Sequence, residues 1–506
     1  MRKHLPILIL LASALVIGIL ILPQFGESWD EADIRRYSAY ALNAYTYLPH
    51  PRDLAPFETN LNFYGPGYFI AADLMSRAIQ WIQPGWSLVT AWHAVYFLTF
   101  LTGAALLYLL ARRWMSDLAA FGATLLFITQ PLLWGHAFIN PKDIPFLTLF
   151  AGTVYLGLKM VDDLARQRTI RPSLVIAALM LGLTSTLRLT GPLAGVLVLA
   201  YAAWRLRAKI LLPAAVYIAI AGIAAFLCWP YLWADPISRL LASLQEMAQF
   251  PFQGRIMFAG KLYLADQLPV SYFPVILGIQ LTESAIPLIV AGLALSVVAF
   301  ARGENRGPLL LLAAWFIVPT AVIVGSRRPI YDNARQLFFV LPPLFIAAGL
   351  ALDKLFQLLR RPILQGAVLL ALALPGVLLG VRLHPYEYVY YNILVGGTGG
   401  AFKGFEMDYW GTSLDEIGRY LNATAPAEAK ILMFGPSDIL AGSLRPGLQV
   451  YLPRDGSNRV FDYVVALARS RADLAVCKDA ETIFSVSRRG AILSELRSIP
   501  PGVTCE

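Results

Sequence analysis

Residues 5–22 read LPILILLASALVIGILIL, an apolar run that follows the basic start Arg2-Lys3-His4. About 20 such residues form a helix that crosses the hydrocarbon core of a bilayer. The run is long for the apolar core of a signal peptide, and no clean Ala-x-Ala cleavage site follows it. We therefore interpret it as a retained membrane anchor.

The composition of the whole chain is typical of a membrane protein. Of its 506 residues, 58% are hydrophobic and 14% are charged, whereas soluble domains are about 45–50% apolar and about 25% charged. The length criterion gives about eleven candidate spans. They cover residues 5–22, 87–111, 118–137, 142–160, 172–187, 191–205, 210–229, 273–301, 308–324, 335–352 and 362–381. The predicted fold class is an all-α polytopic membrane protein.

Lysine and arginine set the predicted orientation, because cytoplasmic loops are enriched in them. With a cytoplasmic N-terminus, the basic loops fall on that side: 112–113, 159–171, 205–209, 302–306 and 354–361. These loops explain the net charge of +9, which then does not indicate nucleic-acid binding. An odd number of spans places the C-terminus outside the cell (inner or plasma) membrane. If residues 172–187 and 191–205 formed one span instead of two, the basic loops would no longer all fall on the cytoplasmic side.

The sequence divides near residue 383. Residues 1–382 form the predicted transmembrane domain, with an outer loop at 23–86 where we expect helices on the membrane surface. Residues 383–506 have short apolar runs separated by Gly and Pro, which predicts a small extracytoplasmic α/β domain. Its short apolar runs are 431–434, 449–452 and 461–467, its predicted hairpin pairs 483–486 with 491–496, and Thr412–Glu416 predicts a capping box that begins a helix.

The three cysteines indicate neither a disulfide framework nor a zinc site. Cys228 lies in an apolar run, where a packing role is expected. Cys477 and Cys505 share the C-terminal region and can form a disulfide if that region is extracytoplasmic, and the sequence leaves both outcomes open.

Ionisable residues at the ends of membrane spans are costly unless they have a partner or a function. Asp30 and Glu31 follow the first span. Ser28-x-x-Glu31 matches a capping box, which is a structural explanation. The functional explanation is a carboxylate that acts as a general base on an acceptor hydroxyl.

Two further clusters lie between predicted spans on the outer side. His136, Lys142 and Asp143 belong to one loop, where Asp143 either caps the next helix, pairs with Lys142 or belongs to a site. Arg188 lies in an apolar segment and needs a partner such as Asp143 or a lipid phosphate.

Residues 327–335, RRPIYDNAR, carry three arginines on the predicted outer face, against the positive-inside trend. Beside Tyr331, Arg328 and Arg335 suit a phosphate or pyrophosphate, although contact with lipid headgroups would explain them too. The sequence contains no P-loop, Rossmann fingerprint or His-Glu-x-x-His motif, which argues against an ATP-driven pump.

These residues lie in segments that resemble one family. Residues 30–31 (DE) resemble the acidic pair of the protein O-mannosyltransferase and lipid A aminoarabinose transferase superfamily, in glycosyltransferase family 39. Residues 140–145 (NPKDIP) resemble a second acidic site of bacterial members, and 331–335 (YDNAR) a late-span segment. Residues 384–392 (HPYEYVYYN) and 405–411 (FEMDYWG) are the most specific matches.

The resemblance implies the C-type membrane glycosyltransferase fold, an outward-facing site and a donor sugar on a polyprenyl phosphate. It implies that Asp30 is the base, that Glu31 supports it and that Asp143 orients the acceptor or donor. A single displacement would invert the anomeric carbon. From charge and predicted side, the residues assigned to substrate binding are Arg188, Arg328, Arg335, Tyr64, Lys142, His136 and Tyr331.

Departures from the family leave the acceptor open between a lipid, a glycan and a protein. Residues 62–66 (NFYGP) stand where the aminoarabinose transferases carry Glu-Lys-Pro, so the metal binding of that branch does not carry over. We assign no metal site and no certain cofactor, with a divalent metal still possible. The alternatives are a transporter or flippase of lipid-linked sugars, although no matching interrupted halves are visible, and a non-catalytic scaffold.

Overall fold

The structure is a computed structural model. It describes residues 4–47, 50, 55–167, 171–248, 252, 254–325, 329–333, 335–453, 460–471, 476–477 and 480–500. Four residues named above, Arg2, Lys3, Arg328 and Cys505, lie outside this set. Within it, Cys228 is a free, half-buried thiol and Cys477 is disulfide-bonded.

Helices dominate the first three quarters of the chain. In chain order they are α1 (Leu5–Ile21), α2 (Glu31–Ala44), α3 (Gly67–Ile82), α4 (Leu88–Ala111), α5 (Asp117–Ile128), α6 (Pro131–Ile139), α7 (Asp143–Gln167), α8 (Pro172–Leu187), α9 (Pro192–Leu206), α10 (Leu211–Leu227), α11 (Pro236–Ala248), α12 (Tyr272–Gln280), α13 (Ala285–Ala301), α14 (Arg306–Gly325), α15 (Pro342–Leu358) and α16 (Pro362–Leu383).

Local sequence explains where many of these helices begin. The hydroxyls of Ser87 and Ser116 accept hydrogen bonds from the third residue beyond, and so cap α4 and α5. Proline occupies the first positions of α6, α8, α9, α15 and α16, where its missing N–H costs nothing.

The chain is a multi-pass membrane protein. Within the described residues, six helical stretches are long and apolar enough to cross a membrane, or up to eight if each sharply bent pair counts as one span. Bundle helices such as α10 and α16 expose leucine, isoleucine and valine to the surroundings, as lipid-facing helices do. The predicted total of eleven spans stays a prediction.

One apparent long span, Pro192–Leu227, is a hairpin. A straight helix of these 36 residues would place its ends about 54 Å apart. Yet both ends contact the first loop (residues 23–86): Gly65 N–H bonds to Thr186 O, just before the turn into α9, and Trp229 Nε1 bonds to Asn62 O. The chain reverses at Arg207, which has a φ of 54°. Residues 191–205 and 210–229 are therefore two helices, as predicted. Residues 172–187 and 191–205 are also separate helices, because α8 ends at Leu187 and Arg188 after it is extended, with φ −146° and ψ 142°.

Three predicted spans need correction. The span at 118–137 is bent by 65° between α5 and α6, and the span at 273–301 is bent by 120° between α12 and α13. Residues Arg335–Val340 form a 3₁₀ helix, so the span predicted from 335 has its α-helix only from Pro342. Apolar composition hid these breaks, because a bend leaves the hydropathy of a segment unchanged.

Amphipathic helices α2 and α3 lie in the first loop, as predicted. A second long connection, between α10 and α12, contains α11 and a hairpin of β1 (Arg255–Phe258) and β2 (Lys261–Leu264), which the sequence did not predict.

The C-terminal region forms the predicted small α/β unit. Its elements are α17 (Gly397–Ala401), α18 (Leu414–Thr424), β3 (Lys430–Phe434), α19 (Ser437–Ser443), β4 (Gln449–Tyr451), β5 (Tyr463–Leu467), β6 (Glu481–Arg488) and β7 (Ala491–Ser498). The strand order is β4-β3-β5-β7-β6, with β3 parallel to both neighbours and β7 antiparallel to both of its own. We call this unit the sheet domain, and the end of the bundle that carries it and the first loop the domain face.

The predicted capping box at the start of α18 is wrong in detail. Ser413 precedes the helix but makes no side-chain cap. Its hydroxyl instead bonds to Asp408 and to Ser494 of β7, and so ties the helix start to the sheet.

Gly135 marks the closest approach between the bundle and the chain that follows α16. A Cβ atom at Gly135 would lie 2.4 Å from the backbone nitrogen of Tyr388. We expect Gly135→Ala to lower the free energy of unfolding by about 1–3 kcal/mol, since backbone must move. Gly222→Ala in α10 is the control, because nothing lies within 4 Å of its Cβ position. Equal thermal stability of both variants in one detergent would contradict this packing.

Candidate active site

A cavity of about 320 Å³ opens at the domain face. Five parts of the chain supply its charged and aromatic walls. They are the first loop (Trp29, Asp30, Asp33 and Tyr64), the turn before α7 (Lys142), the connection between α10 and α12 (Phe252), the segment before α15 (Tyr331, Asp332 and Arg335), and the sheet domain with its connection (Tyr409, Trp410 and Arg469). Another cavity, of about 340 Å³ between α13, α14 and α15, is lined by apolar side chains. Of these two cavities, the first carries ionisable side chains that can do acid–base chemistry.

Asp30 and Lys142 form an ion pair inside the cavity. Lys142 Nζ lies 2.7 Å from Asp30 Oδ2, and the two side chains are 12% and 28% exposed, so solvent reaches the carboxylate. Burial alone would raise the pKa of Asp30, but the positive charges of Lys142 and Arg335 outweigh it and lower the pKa overall. Lys142 also lies over the ring of Tyr64, at 5.5 Å from its centre.

Glu31 does not line the cavity. It is fully buried, accepts a hydrogen bond of 2.6 Å from Ser28 N–H and lies 3.1 Å from His93 Nε2. This is one half of the predicted capping box, while the hydroxyl of Ser28 bonds to Ile139 O instead. Glu31 therefore holds the turn that presents Asp30, and His93 holds Glu31.

Asp143 is the centre of a buried network beneath the cavity. Its Oδ1 pairs with Arg188 and its Oδ2 lies 2.8 Å from Arg335 Nη1. Asn140 caps α7 by accepting from Asp143 N–H, and donates to the Asp143 carboxylate at 3.0 Å. Asp143 thus neither caps the helix through its side chain nor pairs with Lys142. Neither Asp143 nor Arg188 lines the cavity.

Arg335 carries this network to the cavity wall. Its guanidinium lies 4.3 Å from the ring centre of Trp410 and 3.2 Å from Asp332 Oδ2. Asp332 in turn pairs at 2.8 Å with Arg469, whose guanidinium stacks over Trp29. Asp332 has a φ of 54°, a conformation that surrounding contacts must hold in place.

His136 lies below the cavity rather than in it. Its Nδ1 accepts from Asn140 and from Trp410 Nε1, so its Nε2–H donates to Tyr409 O–H at 2.9 Å. His136 therefore orients two aromatic walls. Tyr331, in contrast, lines the cavity and stacks on Phe252, with 4.1 Å between ring centres.

The walls from the sheet domain depend on Asp408. This buried carboxylate accepts from the backbone N–H groups of Gly411, Thr412 and Ser413, and from the hydroxyl of Tyr388. The loop that carries Tyr409 and Trp410 is thereby fixed.

Glu406 joins β1 to the sheet domain at the domain face. Its carboxylate accepts from Met257 N–H of β1 at 2.6 Å and from Ser470 N–H of the sheet domain at 2.9 Å. Burial raises the pKa of Glu406 to about 7, against the opposing effects of Arg469 and the two backbone donors.

Of the predicted site residues, Asp30, Tyr64, Lys142, Tyr331 and Arg335 line this cavity. The sequence did not mark the cavity residues Arg469 and Phe252, or His93, which contacts Glu31. No local pattern distinguishes these three, since each acts through a partner distant in the chain. Among the described residues, no group of three or more His, Cys, Asp or Glu side chains is arranged to hold a metal ion.

Comparison with solved structures establishes the fold. The structure of ArnT from Cupriavidus metallidurans in the apo state matches with a TM-score of 0.53 at 15% identity, over 97% of both chains. The structure of that protein bound to undecaprenyl phosphate gives 0.53 at 16% identity, again over 97% of both chains. The predicted fold is confirmed. No protein-family model matches the sequence, and no curated protein matches it significantly.

The buried network makes Asp143 a stability determinant. Asp143→Asn leaves Arg188 and Arg335 short of a counter-charge, so we expect the free energy of unfolding to fall by about 3–5 kcal/mol. Asp162→Asn is a matched control: Asp162 also bridges two arginines, Arg113 and Arg205, but its side chain is 22% exposed. Its loss should cost about 1 kcal/mol or less. Equal losses in chemical denaturation would contradict a special role for the buried network.

Glu406 gives a pH-dependent contribution to stability. Its pKa in the folded protein is raised from 4.5, so the stabilisation is fully present below about pH 4.5 and is lost as the pH rises through about 7. We expect the melting temperature of the wild type, relative to Glu406→Gln, to fall over this interval and then level off. A difference that is constant with pH would contradict the shifted titration.

Proposed function

We propose that this protein transfers a sugar from a polyprenyl phosphate to an acceptor hydroxyl bound in the cavity. The observation that carries the proposal is the carboxylate of Asp30 paired with Lys142, with Arg335 and Arg469 in the same aromatic-lined cavity at the end of a membrane bundle. The fold supports it, since the similar ArnT structure holds undecaprenyl phosphate.

The chemistry needs a base and a place for the leaving phosphate. Asp30 takes the proton of the acceptor hydroxyl as its oxygen bonds to the anomeric carbon. The bond from that carbon to the phosphate oxygen breaks, and its electron pair leaves with the phosphate. Lys142 and the two arginines stabilise the charge that develops there. A single displacement of this kind inverts the anomeric carbon.

The aromatic walls suit a sugar ring. Trp29, Tyr64 and Trp410 present broad faces around the charged groups. Arg335 and Arg469 already stack on two of these rings, so the cations and the ring faces are held in one geometry. In this proposal a pyranose or furanose packs against these rings, in the same cavity as Asp30.

Several residues act through others in this proposal. Glu31 holds the turn of Asp30, Asp143 and Arg188 hold Arg335, and His136 orients Tyr409 and Trp410. Arg188 and His136 are positioning residues here, and not the direct substrate ligands that the sequence suggested. The proposal also includes four points: a domain boundary at residue 383, a site on the outer face of a cell membrane, a hexose or pentose as the transferred sugar, and a mannosyltransferase-like or protein-glycosylation role.

Sugar transfer by purified protein tests the proposal. In nanodiscs supplied with a panel of polyprenyl-phosphate sugars and acceptors, we expect wild type to consume one donor. Asp30→Asn should lower the rate by about 10²–10⁴-fold, the usual contribution of a general base. Asp117→Asn, which breaks a half-exposed ion pair with Arg112 in the described structure, should turn over normally.

Two outcomes would contradict the assignment. Equal turnover in wild type and Asp30→Asn would remove Asp30 from the reaction. Transbilayer movement of the donor without transfer to any acceptor would favour the transporter alternative.

A further inference from the structure

The ion pair between Asp30 and Lys142 conflicts with the role of Asp30 as a base. A carboxylate that pairs with an ammonium 2.7 Å away holds protons weakly, and the pKa of Asp30 is lowered accordingly. The same ammonium is needed for the phosphate. In the donor-free protein the base and one phosphate ligand neutralise each other.

The three cavity cations are not equally free to move. Arg335 is held by Asp143 and Asp332, packs on Trp410 and has a side chain only 6% exposed. Arg469 is held by Asp332 and Trp29. Among the described residues, the carboxylate paired with Lys142 is Asp30. A lysine is also a point charge on a flexible stem, without the fixed fork of arginine.

We propose that Lys142 is shared between Asp30 and the donor phosphate, so that donor binding draws Lys142 away and releases Asp30 to accept the proton of the acceptor. The inference rests on the proposed function and adds an order to it: the donor binds first. No covalent bond changes in this step, because one ion pair replaces another.

Other charges around Asp30 stay in place during the exchange. The positive charges of Lys142 and Arg335 lower the pKa of Asp30, and the negative charge of Asp143 raises it. Tyr331 lies close enough to interact electrostatically with Asp30, Lys142 and Arg335. Arg335 remains paired with Asp143 and Asp332. Loss of the Lys142 pair is therefore the change that shifts the proton affinity of Asp30 upward. After transfer, the proton leaves Asp30 through the open cavity, and return of Lys142 to Asp30 expels the phosphate product.

Binding of undecaprenyl phosphate to four proteins tests the sharing without any turnover. The proteins are wild type, Asp30→Asn, Lys142→Met and the double variant. We expect Lys142→Met to bind more weakly and Asp30→Asn more tightly than wild type. The increase in affinity caused by Asp30→Asn should be smaller by about tenfold or more when Lys142 is already methionine. A factor of this size is the lower end of the coupling measured between close charge pairs. Undecaprenol, which lacks the phosphate, is the control ligand and should show no such pattern.

The outcomes separate this inference from the proposed function. If Asp30→Asn raises the affinity equally with and without Lys142, Asp30 only repels the phosphate. That result would overturn the proposal that Lys142 is shared between Asp30 and the phosphate. Failure of wild type to bind undecaprenyl phosphate more tightly than undecaprenol would count against the proposed donor class as well.

The pH dependence of turnover gives a second test, which uses the wild-type protein alone and so does not depend on the folding of any variant. The fall of kcat/KM for the donor at low pH reports the pKa of the base in the free protein, and the fall of kcat at low pH reports its pKa in the donor complex. In wild type, we expect the low-pH fall of kcat to occur at a higher pH than the low-pH fall of kcat/KM. Coincident limbs in an active protein would overturn the inference and leave the proposed function standing.

Discussion

The carboxylate of Asp143 between Arg188 and Arg335 is the interaction on which the domain face depends. It joins the start of α7, the turn between α8 and α9, and the segment before α15. Two arginines at the end of a membrane bundle would be costly without it. Because Arg335 then stacks on Trp410 and pairs with Asp332, a single buried charge positions the cavity wall that faces Asp30.

The sheet domain is part of the cavity and not an appendage. Asp332 links Arg335 to Arg469, and Glu406 binds the backbone of both β1 and the sheet domain. Asp408 fixes the loop of Tyr409 and Trp410. These three carboxylates are buried. Asp332 and Glu406 accept hydrogen bonds from distant parts of the chain, and Asp408 accepts them from its own loop and from Tyr388. Buried polar groups need such partners, so the domain has little freedom to leave the bundle without breaking the site.

Composition and periodicity were sufficient for the fold class, the helices α2 and α3 of the first loop, and the strands of the sheet domain. They failed at α5–α6 and α12–α13, where bends do not alter hydropathy. The site was partly predictable, since charges at span ends stand out against an apolar background. Which charges pair was not: Asp143 was adjacent to Lys142 but bonds to Arg335, 192 residues away. Arg469 reaches Asp332 across 137 residues, and nothing in its local sequence marks it.

The contribution of Trp410 and Arg469 to the cavity has a consequence for biosynthesis. A nascent chain that has emerged only as far as α16 already carries Asp30, Lys142 and Arg335 in the membrane. It lacks the side of the cavity that Trp410 and Arg469 form, because both residues follow α16 in the sequence. The ribosome therefore completes the reactive centre last, and a prematurely terminated product inserts into the bilayer without a finished pocket for lipid-linked substrates.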